Sequence, residues 1–301
     1  MILVVGDLVT DVLVEHDGEI RAGSDTDAAI RVAGGGQAAN TAAWLAHAGQ
    51  EVTLIAAVGD DQAGHDRVSE LTAAGVRCAV QVLPGVATGS VVVLTGAAER
   101  TMITDRGASL RIEPDHVTAA ITGAPAGSHL HLSGYPLLHA GSRPAGRAAL
   151  TAASRRGLTV SVDAASAAPL RDAGAGEFLS WVRGTDLLLC NADEADVLAG
   201  PGPAAEQAGR LTAHVRNVVV KQGAAGAVWA GPDGVFPVAA SPVPVKDPTG
   251  AGDAFAAGLL GAWCAGSSPS AALRAGAVLG ALAVSRVGAR PAPEHPTHPP
   301  A

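Results

Sequence analysis

The stretch Asp247-Pro-Thr-Gly-Ala-Gly-Asp253, followed by the small apolar residues 254–262, decides how this chain is expected to fold. Glycines 250 and 252 allow a sharp backbone turn, and the segment after them has helical composition. A helix that begins at such a turn directs free N–H groups and the positive end of its dipole at one point. This arrangement predicts an anion site at the turn, with Asp253 beside it. An ordinary glycine turn capped by Asp253 fits the local spacing equally well.

Outward from this turn, short β-branched runs alternate with Ala/Leu-rich segments of helical period, which predicts an α/β sheet covered on both faces. The predicted strands are Ile2–Val5, Val52–Val58, Leu130–Leu132, Leu158–Val162, Asp186–Cys190 and Asn217–Lys221. The predicted helices are Gln37–Ala48, Gln62–Ala74, Arg143–Arg155, Ala192–Ala199, Ala205–His214, Gly250–Ala265 and Pro269–Ser285. The segments 12–33 and 88–106 show no helical stripe, so we expect antiparallel strands outside the main sheet that serve as a lid. We expect one domain over 1–290 and a Pro-rich tail over 291–301.

Composition limits the classes of function. The 301 residues carry a net charge of -8, and only 3% are aromatic, which argues against nucleic-acid binding by a basic patch or by stacking. The 48% of hydrophobic residues supply a large core, but no uninterrupted apolar stretch predicts a membrane span. Three widely spaced cysteines suit a reducing compartment. We therefore expect a cytoplasmic protein without a nucleic-acid or membrane partner.

A second glycine-rich segment, Gly34-Gly-Gly-Gln-Ala-Ala-Asn40, also opens an Ala-rich helix. Its spacing superficially fits a dinucleotide fingerprint, but that fingerprint directly follows the first strand, and here the segment lies far from Ile2–Val5. Asn40, one turn into the helix, can present an amide to the hydroxyls of a polyol. It can equally be a polar residue facing water.

A third segment, Asn191-Ala-Asp-Glu194, follows a buried strand, where loop residues face the ligand crevice of a parallel sheet. Glu194 can hold a water molecule on Mg²⁺, which prefers oxygen ligands. A helix N-cap followed by acidic first-turn residues explains the same four residues. The sequence contains no GxxxxGK[ST] motif, which excludes a P-loop nucleotide site.

Taken in order along the chain, these segments resemble the ribokinase-like (PfkB) carbohydrate kinases. Gly34–Ala42 resembles the N-terminal signature of that family, and Asp247–Leu260 resembles its C-terminal signature. The resemblance extends from about Ile2 to Ala292. It implies a ribokinase-like three-layer α/β/α sandwich with a mostly parallel central sheet and a small β-sheet lid. It also implies an ATP-dependent sugar kinase, a phosphotransferase acting on an alcohol group, that uses Mg²⁺ and forms a homodimer through its lid.

The resemblance also implies roles for individual residues. Asp253 is the expected general base, and the N–H groups of Gly250, Ala251 and Gly252 are the expected anion hole. The expected substrate contacts are Asp11, Gly35, Gly36, Asn40 and Arg100. The expected ATP contacts are Asn191, Lys221, Gly223 and Gly226, and Glu194 is expected to act on Mg²⁺ through water. The candidate ligands of a monovalent cation such as K⁺ are Asp247, Thr249, Ala283, Arg286, Gly288 and Ala292.

Departures from ribokinase leave the substrate open. Gly36-Gln37-Ala38 stands where ribokinase has Gly-Lys-Gly, and Val9 stands where it has an asparagine that contacts ribose. A nucleoside kinase and a 2-keto-3-deoxy sugar acid kinase of the same family are alternatives. Arg100 or Arg106 can serve a substrate carboxylate. A non-catalytic sugar-binding regulator on the same fold is a more distant alternative, and intact Asp253 argues against it.

Overall fold

The computed structural model describes residues 1–96 and 100–291, and it contains two β-sheets with helices around the larger one. In chain order the strands are β1 Ile2–Val5, β2 Val9–His16, β3 Ala28–Gly35, β4 Val52–Gly59, β5 Arg77–Leu83, β6 Thr88–Thr95, β7 Arg100–Gly107, β8 His129–Ser133, β9 Thr159–Asp163, β10 Leu187–Asn191, β11 Asn217–Lys221, β12 Ala227–Gly231 and β13 Gly234–Val238. The helices are α1 Gln37–His47, α2 Gln62–Ala73, α3 Pro114–Thr122, α4 Tyr135–Leu138, α5 Arg143–Arg155, α6 Ala167–Ala173, α7 Ala175–Trp181, α8 Ala192–Ala199, α9 Ala204–Leu211, α10 Ala251–Cys264 and α11 Pro269–Val284.

The larger sheet has nine strands in the order β13-β12-β11-β10-β9-β8-β1-β4-β5. Its pairings are parallel except for β11–β12 and β12–β13, which are antiparallel. Successive residues of each strand face opposite sides, so the sheet supplies two hydrophobic clusters. Leu3 and Val5 pack with the helices α3 and α5 to α9, whereas Ile2 and Val4 pack with α1, α10 and α11. This confirms the expected three-layer α/β/α sandwich with a mostly parallel sheet.

The smaller sheet has four strands in the order β3-β2-β6-β7, and we call it the lid sheet. The two hairpins β2–β3 and β6–β7 are antiparallel, as expected, but β2 and β6 pair in parallel. The expectation of antiparallel strands is therefore correct within each hairpin but not where β2 pairs with β6. The chain passes through β3, α1, β4, α2 and β5 between β2 and β6, and a connection of that length allows parallel pairing.

Within residues 1–96 and 100–291, none of the helices has the length and apolar character required to cross a bilayer. The expected Pro-rich tail begins at Pro291, and its remaining residues 292–301 lie outside the described part of the chain.

Candidate active site

The turn before α10 lies at the carboxyl edge of the large sheet. Gly250 adopts the left-handed conformation with φ 73° and caps the helix. A Cβ at this position would lie 2.3 Å from the carbonyl oxygen of Ala289, so both the conformation and the close packing require glycine. The amides of Ala251 and Gly252 belong to the first helical turn, where N–H groups have no acceptor within the helix. Ala251 N–H makes only a long 3.3 Å bond to the carbonyl of Pro248.

Asp253 follows in the same first turn of α10. Its Oδ2 accepts a hydrogen bond from Asn40 Nδ2 at 3.0 Å, which joins the C-terminal glycine turn to helix α1. Burial raises the pKa of Asp253 to about 8, and the negative charges of Asp163 and Asp7 act in the same direction. The Asn40 bond and the positive charge of Lys221 partly oppose that rise. A carboxyl group with this pKa can exchange a proton near neutral pH.

The three glycines that precede α1 each make room for a different neighbour. A Cβ on Gly34 would lie 2.1 Å from Nη1 of Arg290, and one on Gly35 would lie 2.0 Å from Oδ1 of Asp11. Gly36 has φ 100°, and its Cβ would lie 2.5 Å from the carbonyl oxygen of Asp7. The glycine-rich segment therefore brings Asp11, Asn40 and the Asp253 turn to one place.

The resemblance implies that Asp11 holds a sugar hydroxyl, so we expect Gly35→Ala to fold but to bind a sugar poorly, because the added methyl group must displace the Asp11 carboxylate. The KM for the sugar should rise about 10- to 100-fold, the range for losing a hydrogen bond to a charged group. The KM for ATP should not change. Gly209→Ala is the matched control, since a Cβ there meets nothing within 4 Å. An unchanged sugar KM in Gly35→Ala would contradict a role for Asp11 in sugar binding.

Lys221 ends β11 and turns across the sheet edge toward β9. Its Nζ lies 2.7 Å from Oδ2 of Asp163, and Gln37 Nε2 donates to the other carboxylate oxygen at 3.0 Å. A Cβ on Gly252 would lie 3.5 Å from the same Nζ. Burial lowers the pKa of Lys221, but the charges of Asp163 and Glu194 outweigh burial and raise it, so the ammonium group stays charged. Lys221 thus places a positive charge at the anion turn, in addition to its expected position in the nucleotide loop.

Asn191 and Glu194 form a reciprocal capping box at the start of α8. Asn191 Oδ1 accepts from Glu194 N at 2.9 Å, while the Glu194 carboxylate accepts from the backbone N and Nδ2 of Asn191, each at 2.8 Å. Burial raises the pKa of Glu194 to about 7, and Asp163 adds to the rise. The helix-cap interpretation is therefore correct. The described residues contain no group of three or more His, Cys, Asp and Glu that forms a ready metal cluster. Mg²⁺ is usually bound by one or two carboxylates together with substrate phosphates and waters, so the single carboxylate of Glu194 fits the expected role through water.

A cavity of about 470 Å³ extends from the anion turn between α10, α11 and the strand-end loops. Gly223 and Gly226 line it together with Lys221, and Phe255, Val245 and Val284 give it an apolar wall. Gly226 has φ 94°, and its missing Cβ would lie 2.0 Å from the carbonyl oxygen of Val238. An apolar cavity that ends at a cluster of N–H groups and an ammonium group can hold a purine base and direct its phosphates to the turn.

The expected cation ligands come together next to this cavity. The Asp247 carboxylate accepts from Thr249 N and from Gly288 N, each at 2.9 Å, which ties the loop before α10 to the loop after α11. Arg286 N donates to the carbonyl of Ala283 at 3.1 Å in the second of these loops. Ala292 lies outside the described residues.

The two lid arginines differ in what the structure describes. Arg100 starts β7 opposite Thr95, and its side chain lies outside the described residues. Arg106 places its guanidinium 3.8 Å from the centre of the Tyr135 ring, and its Nη1 lies 3.6 Å from Oδ2 of Asp7. The strand register puts Arg106 on the same face of the lid sheet as Asp11, the face toward Asn40.

The sequence did not indicate three residues of this site: Asp163, Arg67 and Arg290. Asp163 had a usable signal, because it ends a buried strand just as Asn191 does. Arg290 had none, since it lies 250 positions from its partner Asn40. Arg67 pairs locally with Glu70, but its contacts with Thr10 and Ala33 are with residues distant along the chain.

Comparisons with known proteins agree with this geometry. Residues 1–296 match the model of the pfkB family carbohydrate kinases. The chain is similar to an ATP-dependent ribose-1-phosphate kinase of Halopiger xanaduensis, with 32% identity over 95% of this chain and 90% of that protein. An adenosine kinase structure from Sinorhizobium meliloti has a TM-score of 0.86 at 24% identity, covering 97% of this chain and 95% of its own.

A further structure, from E. coli and solved in complex with ATP and Mg²⁺, has a TM-score of 0.80 at 26% identity and covers 96% of this chain and 94% of its own. The family match spans nearly the whole chain, including both glycine turns and the carboxylate beside each of them. The chain therefore belongs to the pfkB family of carbohydrate kinases and is a phosphotransferase that acts on sugar hydroxyls.

Proposed function

We propose that this kinase transfers the γ-phosphoryl group of Mg-ATP to a hydroxyl group of a small carbohydrate, with Asp253 as the general base. The observation that carries the proposal is the position of Asp253. It lies in the first turn of α10, between the nucleotide cavity on one side and Asn40 on the other. A carboxylate at this point can reach both an acceptor hydroxyl and a phosphoryl group held at the turn.

In the proposed reaction, residues of the site accept the proton of the sugar hydroxyl and stabilise the charge on the phosphoryl group. The sugar oxygen forms a bond to the γ-phosphorus, the bond to the β,γ-bridging oxygen breaks, and ADP leaves with that oxygen. The hydroxyl proton passes to Asp253. The N–H groups of Gly250–Gly252 and the ammonium of Lys221 stabilise the charge on the transferring group. Bound Mg²⁺ would neutralise charge on the ATP phosphates, with Glu194 acting on it through water.

Asp11 and Asn40 would hold the sugar hydroxyls from opposite sides of the site. Asn40 already donates to Asp253 Oδ2, so the reacting hydroxyl would approach the Asp253 carboxylate beside this amide. The lid sheet carries Asp11 and lies over this point. Its closure would keep water from the phosphoryl group and so limit ATP hydrolysis.

The test is formation of a phosphorylated product from Mg-ATP with a panel of neutral sugars, sugar phosphates, sugar acids and nucleosides, each detected by mass. We expect one class to yield a product whose mass rises by one phosphoryl group. ATP consumption that does not depend on any acceptor, or binding of a sugar without turnover, would contradict the proposal. Sugar binding without turnover would favour the regulator alternative.

One observation favours an anionic sugar over a neutral one. Arg106 is nearly buried on the inner face of the lid sheet, the face that also carries Asp11. There its guanidinium can contact a carboxylate or phosphate of the substrate. Its ring contact with Tyr135 and its 3.6 Å approach to Asp7 fix its orientation. In the panel, Arg106→Met should raise the KM for an anionic sugar and leave that for a neutral sugar unchanged. An equal rise in both KM values would contradict the preference for an anionic sugar.

The outer lid face supports a homodimer. Val12, Val32, Val92 and Ile103 lie side by side in the strand register, on the face opposite Asp11. Ile30, Val32 and Ile103 are 65%, 64% and 59% exposed, which is unusual for neighbouring large apolar side chains. We propose that a second copy of the chain covers this face.

Sedimentation velocity tests this assembly. The protein should sediment as a dimer at micromolar concentration, and Val32→Asp combined with Ile103→Asp should convert it to a monomer, because the charges would be buried at the interface. Val278→Asp on α11, where Val278 is 60% exposed, is the control and should stay dimeric. A wild-type protein that sediments as a monomer would refute this proposal.

A further inference from the structure

Arg290 follows α11, and its side chain contacts the glycine-rich segment and helix α1 of the proposed sugar site. Its side chain makes three contacts to three different elements. Nε donates to Asn40 Oδ1 at 3.0 Å, Nη2 donates to the carbonyl of Gly35 at 2.8 Å, and Nη1 lies 3.5 Å from Oε2 of Glu70. The first two acceptors belong to the segment that forms the sugar site, and neither faces open solvent at this contact.

The contact with Asn40 determines which way its amide points. A guanidinium group only donates hydrogen bonds, so the atom facing Arg290 must be the amide oxygen. The amide nitrogen then faces Asp253, to which it donates at 3.0 Å. In the reverse orientation the amide oxygen would lie against the carboxylate of Asp253, and the two acceptors would repel each other.

Arg290 is itself held firmly. Glu70 on α2 pairs with both Arg290 and Arg67, and Arg67 donates to the carbonyl of Ala33 at 3.2 Å. On the other side, Trp44 of α1 donates from Nε1 to the carbonyl of Ala289 at 2.9 Å, which fixes the backbone next to Arg290. The absent Cβ of Gly34 leaves room for the guanidinium. A side chain fixed from two helices in this way can impose its orientation on a neighbour.

We propose that Arg290 is a positioning residue for phosphoryl transfer, which orients the Asn40 amide so that it donates to Asp253. The inference rests on the proposed role of Asp253. Burial lowers the pKa of Arg290 to about 10, so it stays charged at neutral pH; the charged groups that face it are Glu70, Arg67, Asp11 and Asp253. Those that face Asp253 are Asp163 and Lys221, at the ends of β9 and β11, and Asp7, in the loop after β1.

The proposal predicts that Arg290 acts through Asn40 rather than on the substrate. In Arg290→Met, kcat should fall about 10²-fold, the loss that mispositioning of a reactive group by about 1 Å produces. The KM for ATP should stay unchanged, because Arg290 does not line the nucleotide cavity. In an Asn40→Ala background the same replacement should lower kcat by no more than about threefold, since the residue it orients is already absent.

The experiment measures kcat and KM for four proteins: wild type, Arg290→Met, Asn40→Ala and the double variant. Arg77→Met is the matched control, because it removes an arginine that pairs with a glutamate, Glu51, at the surface. Asp253→Asn is measured in parallel. Additive losses in the double variant, or a fall in kcat equal to that of Arg77→Met, would overturn the role of Arg290.

Two outcomes separate this inference from the proposed function. If Asp253→Asn keeps its turnover, the role of Asp253 fails and the role of Arg290 fails with it. If Asp253→Asn is inactive and the losses are additive, only the role of Arg290 fails. Should Arg290→Met not fold, Arg290→Lys serves in its place, because lysine keeps the charge but lacks the rigid planar donors with which arginine holds Asn40 Oδ1 and the Gly35 carbonyl. The kcat of Arg290→Lys should fall about tenfold, a smaller loss than in Arg290→Met, because the positive charge is kept. An undiminished kcat would overturn the proposal.

Discussion

Replacing Asp253 with asparagine is expected to lower kcat by about 10²–10⁴-fold, the usual contribution of a positioned general base. The amide has nearly the shape of the carboxyl group but cannot accept the proton of the sugar hydroxyl. The hydrogen bond from Asn40 becomes an amide–amide contact, which preserves packing at the turn. Binding of ATP should not change, because the nucleotide cavity and the turn are intact.

The same replacement is expected to make the folded protein more stable at alkaline pH. The pKa of Asp253 is raised in the folded protein to about 8, from an ordinary value of 3.8. The folded state therefore retains a proton that the unfolded chain has lost, and stability falls as pH rises from about 4 to about 8. Asparagine carries no such charge, so this loss should vanish.

Thermal unfolding of the two proteins at pH 6 and pH 9 checks this effect. The melting temperature of the variant should exceed that of the wild type, and by a larger margin at pH 9. Asp233→Asn, in the exposed turn between β12 and β13, is the control. A variant that melts below the wild type at both pH values would mean that Asp253 is ionised and stabilising, contrary to the electrostatics described here.

Replacing Lys221 with methionine should affect both stability and turnover. Lys221 and Asp163 form an ion pair at 2.7 Å with little solvent exposure, 14% and 4% of their side chains. Removing one partner of a buried pair costs about 3–5 kcal/mol, because the remaining charge has lost its counter-ion. Here that charge also lies near Glu194, which makes the unpaired carboxylate still less favourable.

A second replacement separates the structural role of Lys221 from its catalytic role. In Lys221→Met with Asp163→Leu, the Asp163 carboxylate that lost its counter-ion is removed as well, so part of the lost stability should return. Turnover should not return, because the transferring phosphoryl group still lacks the ammonium group at Gly252; we expect kcat to stay about 10²-fold below the wild type. Denaturant unfolding and steady-state kinetics on the same preparations measure both. Recovery of activity together with stability would show that Lys221 is only structural.

The interior of the large sheet was predictable from the sequence, and its antiparallel edge was not. Strands such as β11, with Val218–Val220 in continuous sequence, are buried on both faces and read as apolar runs. β13 is the edge strand, and Pro237 interrupts its partly exposed pattern, whereas β12 beside it is a short buried strand that ends at Gly231. The Pro-Asp turn between them was the available signal. Helix α3 was missed because it follows the lid directly and buries only Val117 and Ile121.

Some residues of the site were likewise predictable from the sequence, and others were not. Asp11, Asn40 and Asp253 lie in segments whose composition is unusual, since the backbone there needs glycine to approach its neighbours. Such local constraints are visible in sequence. Arg290 acts through contacts with residues distant along the chain, in a segment without unusual composition. Its role depends on how strands and loops are brought together, which no local pattern records.

The pH dependence of phosphoryl transfer tests the role of Asp253 most directly. With ATP and sugar both well below saturation, the rate reports the ionisation of the free enzyme, which is the state described here. In the wild type it should rise with pH and level off above about 8, where Asp253 is ionised. The residual rate of Asp253→Asn should lack that ionisation. A wild-type rate that stays constant between about pH 6 and 9, where a base of this pKa must titrate, would contradict the assignment of Asp253 as the base.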